Sequence, residues 1–121
     1  MVRTFGLTHI VLTVADPDRS LRFYERVFGV REYWRDENQI QAKTPDAHDV
    51  IAFNRGKRNI GRTGGIEHFG FRLVDSADID EAVRLVLDAG GELIERGDFT
   101  EGEPFAFVKD PDGYVIEIWY E

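Results

Sequence analysis

The stretch GGIEHFGFRL, Gly64 to Leu73, decides how this chain is read. It is an apolar, β-prone run with a histidine, His68, at its centre. Near the N-terminus FGLTHIVLTV, Phe5 to Val14, sets His9 in the same kind of run, and the residues after each stretch share one plan. After the first come Asp16 and Pro17, an N-cap residue and a first-turn proline. Leu21, Tyr24, Val27 and Phe28 then recur at helical spacing and Gly29 supplies the stop. Arg31 to Arg35, Gln39 to Lys43 and Asp49 to Asn54 read as short strands, with the turn TPDAH between the last two.

After the second stretch, Asp78 with Glu81 has the form of a capping box. Ile79, Ala82, Val83, Val86 and Leu87 make an apolar helical face that ends at Gly90-Gly91. Glu92 to Arg96, Phe105 to Lys109 and Tyr114 to Tyr120 come next as strands, and KDPDGY is strong turn chemistry before the last of them. The chain is therefore a β-α-β-β-β unit written twice. Its 121 residues suit one domain spanning 1–121, with a first module at about 5–55, a linker at 56–65 and a second module at about 66–121.

Composition narrows the function classes. Hydrophobic residues at 42% supply a core, and no apolar run is long enough for a membrane span. The N-terminal run alternates as a strand and lacks a cleavage pattern, so a cytoplasmic protein without a signal peptide is expected. Cysteine is absent, which removes disulfides, thiolate metal sites and a cysteine nucleophile. A net charge of −8 opposes non-specific binding of nucleic acid, which needs a basic surface. The loop NRGKRNIGRTGG is the one basic segment, and it lacks the Lys-Ser/Thr ending of a P-loop.

His9 and His68 occupy matching places in the repeat, so they are one feature seen twice. Glu117 lies between Ile116 and Ile118 in the last strand, where a carboxylate needs a cation, a hydrogen bond or a metal. Two imidazoles and a carboxylate suit a divalent metal with coordination positions left open. A buried His–Glu hydrogen-bond cluster is the plain alternative. His48, in a turn, reads as exposed. Arg72 shares the His68 face and suits an ion pair or the sheet rim, and Tyr24 falls on the apolar stripe of its helix.

With LTHIVLTVADPDRSLRFYERVFGV as an opening unit and KDPDGYVIEIW as a closing hairpin, nearly the whole chain resembles the vicinal oxygen chelate superfamily. That superfamily includes glyoxalase I, extradiol dioxygenases, fosfomycin-resistance proteins, methylmalonyl-CoA epimerase and bleomycin-resistance proteins. The resemblance implies an α+β fold of paired βαβββ modules whose curled mixed sheets surround a metal-lined cleft. It also implies a metal at His9, His68 and Glu117, and a small oxygenated substrate that binds through vicinal oxygens. A fourth ligand common in the family would fall at Ala52, or with a shift at Val50 or Ile51, and none of these binds metal. This sets the chain apart from glyoxalase I and the epimerase. The basic segment that fosfomycin-resistance members carry after the glutamate is also missing.

The three-ligand set favours iron(II) and dioxygenase-type chemistry over a lyase or isomerase, with manganese, zinc or nickel as other ions. Phe107 stands near the place of the dioxygenase tyrosine, no second-sphere histidine is evident, and no catalytic residue beyond the ligands is assigned. A homodimer is expected, because the sheets have edges to cover. The alternative function is a bleomycin-resistance type of protein that sequesters a small molecule without chemistry.

Overall fold

The computed structural model describes residues 1–121. In the first half the order is β1 (His9–Val14), α1 (Pro17–Phe28), β2 (Arg31–Arg35), β3 (Gln39–Lys43) and β4 (Val50–Arg55). In the second it is β5 (Phe69–Arg72), α2 (Ile79–Asp88), β6 (Glu92–Asp98), β7 (Pro104–Lys109) and β8 (Val115–Trp119). Each half makes a four-stranded mixed sheet, β1-β4-β3-β2 and β5-β8-β7-β6. The first strand of each half pairs in parallel with the last, and the remaining pairs are antiparallel. This is the α+β architecture expected from the repeat. No helix is long and apolar enough to cross a membrane.

Helix α1 begins and ends where its sequence dictates. The Asp16 carboxylate accepts from the Asp18 N–H at 3.0 Å, Pro17 occupies the first turn, and Gly29 closes the helix at φ 70°. The start of α2 differs from expectation. Asp75, not Asp78, accepts from a free N–H, that of Ala77, and caps a 3-10 turn over Ser76–Asp78. Asp78 makes no side-chain cap, and Glu81 pairs with Arg84 one turn on instead of reaching back. Both opening strands are shorter than their apolar runs. Residues 5–8 and 64–68 lie outside the sheets, and His68 sits just ahead of β5.

Alternation gives each sheet two faces. Leu12, Val14, Ile40, Ala42, Ile51 and Phe53 of the first sheet turn inward, as do Ala106, Val108, Ile116 and Ile118 of the second. With Leu21, Phe23 and Tyr24 of α1 and Ile79, Val83 and Val86 of α2, they form one core shared by both halves. Phe28 of α1 stacks on Phe71 of β5 at 3.8 Å.

A buried polar knot adds direction to this apolar contact. In the DPDG turn, Asp110 is 3% exposed; its Oδ1 accepts from the N–H groups of Asp112, Gly113 and Tyr114, and its Oδ2 from the Tyr24 hydroxyl at 2.9 Å. Asp112 accepts from Ala15 N–H, Ser20 Oγ and Arg19 Nη2, the last at 2.6 Å. Tyr114 Oη donates to the Thr13 carbonyl. Tyr24 thus belongs to the core, as its place on the helix stripe predicts.

Candidate metal centre

The faces turned away from the core carry the polar residues singled out in the sequence. On the second sheet, parallel pairing sets Gly70 opposite Glu117. His68 precedes Gly70 by two residues and stands beside the same carboxylate, its Nε2 3.1 Å from Glu117 Oε2. The side chains are 28% and 18% exposed, reachable from solvent, with Glu117 held by the sheet and His68 on the segment leading into it. The other ring nitrogen, Nδ1, lies 3.2 Å from Glu67 Oε1. Phe107, cross-strand from Glu117, meets the imidazole edge-on at 5.1 Å.

This spacing fits a metal. Two donors each about 2.1 Å from one ion and at right angles stand about 3 Å apart. A carboxylate on the outer nitrogen of a ligating histidine is the usual companion of such a site, because it fixes the tautomer and leaves Nε2 free to coordinate. Glu67 stands where that companion would, and strict alternation along a strand conceals it by assigning Glu67 to the opposite face. The segment before Phe69 is not in the sheet, so the rule does not hold there. Adjacency to His68 was the one signal that could have found it.

His9 stands apart. It is exposed on β1, and no three His, Asp or Glu side chains of the chain come together to hold a metal. Two of the three expected ligands therefore meet within the chain, and the third does not. The reason is topological: each candidate lies on a sheet face turned from the shared core, and the free edges of β1 and β5 do not pair. A groove of about 340 Å³ separates those edges, lined by Ile10 to Leu12 on one side and by Gly64 to Phe69 on the other.

The fourth position is fixed by register. Val11, two residues after His9, pairs with Ala52, just as Gly70, two after His68, pairs with Glu117. Ala52 is therefore the counterpart of Glu117, and Val50 and Ile51 are not. Around it the first sheet presents amides. Tyr33 Oη donates to Gln41 Oε1 at 2.8 Å, Gln41 Nε2 to Gln39 Oε1 at 2.7 Å, and Gln39 Nε2 to Asn54 Oδ1. His48 is exposed and stacks on Phe5, and Arg72 lies over the Trp119 ring, 5.1 Å from its centroid.

Comparison with known proteins agrees with this architecture. A probable chloroplastic lactoylglutathione lyase from Arabidopsis thaliana is 31% identical over 124 residues, covering 93% of this chain and 35% of the plant protein. A lactoylglutathione lyase from Salmonella typhimurium is 28% identical over 93% of this chain and 90% of its own length. The chain thus spans about a third of the plant relative and nine-tenths of the bacterial one. Among solved structures, the fosfomycin resistance protein FosX from Listeria monocytogenes superimposes with a TM-score of 0.80 at 21% identity, over 98% of this chain and 95% of that one. These relatives lend no support to the dioxygenase preference, and the named lyases point the other way. The family model described as Glyoxalase/Bleomycin resistance protein/Dioxygenase superfamily matches residues 6–118, and the chain belongs to that superfamily.

Proposed function

We propose that the chain is a metal-dependent enzyme of lyase or isomerase type acting on a small molecule with two adjacent oxygens. His68 and Glu117 would hold the ion with His9 of a second copy. The observation that carries this reading is the approach of His68 Nε2 to Glu117 Oε2, backed by Glu67 on Nδ1. The free edges of β1 and β5 favour a second copy as the source of His9. A divalent ion bound there supplies Lewis acidity toward the paired oxygens of a substrate. The chain's own residues do the rest. Glu67 holds the His68 ring in one orientation, and the sheet holds Glu117. The amide row ending at Asn54 offers hydrogen-bond donors on the opposite sheet. Lactoylglutathione, named for the relatives, is the first substrate to try.

Ala52 favours a second reading. With no carboxylate at that position, the site lacks the residue best placed to move a proton, and a sequestering protein needs none. Elemental analysis, beside turnover assays on lactoylglutathione and small 2-oxo and 2-hydroxy acids, tests both. Expected are roughly one metal ion per chain, lost in His68→Ala, and turnover lost with it. Metal without turnover on any of these favours sequestration. No metal after reconstitution with iron, manganese, zinc and nickel in turn overturns the metal reading.

A further inference from the structure

The sheet face that carries Glu117 is aromatic. Phe107 is in register with Glu117, and Phe105 with Trp119, so all three rings share its side of the sheet. They touch in sequence: His68 on Phe107 at 5.1 Å, Phe107 on Phe105 at 5.8 Å, and Phe105 stacked on Phe99 at 4.6 Å. The rings of Phe105, Phe107 and Trp119 are half-buried and Phe99 is exposed.

Two glycines make room for them. A Cβ on Gly70 would stand 2.9 Å from the Glu117 carbonyl oxygen and 3.3 Å from Trp119 Nε1. One on Gly97 would stand 3.1 Å from Phe105 Cζ. Both positions are filled by neighbouring rings that lie down over the backbone. The first sheet offers nothing similar, since its matching face is the row of Tyr33, Gln41, Gln39 and Asn54.

An apolar floor of this kind invites a cover, and the groups within it say which. Glu117 and His68 rise on its β5 side, and a protein surface packed dry onto them would desolvate a carboxylate with one imidazole as partner, so the second copy that brings His9 would roof the floor across a cleft and not fill it. A small molecule with a polar end for the metal and a flat apolar body for the rings leaves nothing unpaired. Ring on ring, edge-to-face or offset, is the geometry such a floor offers.

We propose that the site selects an aromatic substrate, its paired oxygens at His68 and Glu117 and its ring on Phe107, between Phe105 and Trp119. This rests on the metal reading above and names the substrate class that the reading leaves open.

Phenylglyoxylate and pyruvate test it, because they share one chelating 2-oxo acid group and differ in phenyl against methyl. Calorimetric titration of manganese-loaded protein is expected to give about tenfold tighter binding of phenylglyoxylate. Phe107→Leu should remove most of that preference, and pyruvate binding and metal content measured beside it separate the lost ring contact from a displaced His68 imidazole. In chelator-treated protein both acids weaken, but the preference for phenyl remains. Equal binding of the two acids in both preparations overturns the proposal. So does a Phe107→Leu variant that dissociates the protein into monomers with the preference intact, since the floor would then be a protein interface. A preference for phenyl in a protein that takes up no metal on reconstitution supports the aromatic floor and defeats the metal reading alone.

Discussion

Glu67 stands outside the expected ligand set, and under the proposed metal reading it would act on that set through His68. Its carboxylate is 88% exposed, so as an ion pair in water it would contribute little to stability. Its proposed effect is positional. A carboxylate on Nδ1 holds the ring plane and fixes which nitrogen carries the proton, and loss of such a partner typically weakens metal binding about 10- to 100-fold. Glu67→Gln keeps a hydrogen-bond acceptor but loses the charge, so it belongs at the lower end, about tenfold. Glu117→Gln, which alters a ligand, should cost far more. Competition against a chromophoric chelator measures both, and thermal melts of the metal-free proteins should be nearly unchanged by Glu67→Gln. Equal losses in the two variants would make Glu67 a ligand. No loss in Glu67→Gln would make its contact with His68 incidental.

At the scale of elements, the DPDG turn between β7 and β8 joins the two halves. Asp110 anchors it by satisfying three backbone N–H groups and the Tyr24 hydroxyl, and Asp110→Ala would leave these donors unpaired at a cost of about 3 kcal/mol. Burial pushes the Asp110 carboxyl above the ordinary carboxylate range, against the pull of the backbone N–H groups and Tyr24. The Tyr24 hydroxyl is driven well above its usual value by burial and by Asp110, so it stays a donor. Between the unfolded carboxyl's pKa, about 3.9, and its own raised value, the folded state binds more protons, so this group's contribution to stability falls as pH rises and levels off above. Asp110→Asn keeps an oxygen for the backbone and an amide that can donate to Tyr24, but cannot ionise. In urea unfolding at successive pH values from 7 to 4, the wild type should gain on Asp110→Asn as pH falls; parallel curves would mean that the carboxylate carries no desolvation penalty. Both helices, the duplicated plan and this turn were legible because their signals are local: Asp16-Pro17, Gly29, Asp-Pro-Asp-Gly. The start of α2 was not, since Asp75 and Asp78 both suit a cap and only the 3-10 turn between them decides. The lead-in before Phe69 hid Glu67 for a related reason, because an apolar run continues past the point where the sheet does.

For the whole molecule, the open question is where His9 finds its partners. The sequence puts His9 and His68 at matching points of a duplicated unit and Glu117 in its last strand, but carries no sign of which copy completes the set, and within one chain only two of the three meet. A two-fold dimer in which the first half of one copy faces the second half of the other would build two equivalent sites, each drawing His9 from one chain and His68 with Glu117 from its partner. Mixing separates this from a closure of the set within one chain. His9→Ala alone has no intact site, and Glu117→Ala alone has none. When they are unfolded together and refolded at equal amounts, half the dimers are mixed, and each mixed dimer regains one site with all three ligands intact. Metal content should then return to about a quarter of the wild-type level, and only to the mean of the two parents if each site belongs to a single chain. Sedimentation of the refolded mixture shows whether dimers formed, so monomers with no recovered metal would refute the shared site outright. Dilution gives an independent check: a shared site loses its ion as the dimer dissociates, so apparent metal affinity should fall with protein concentration, whereas a site within one chain holds its affinity constant.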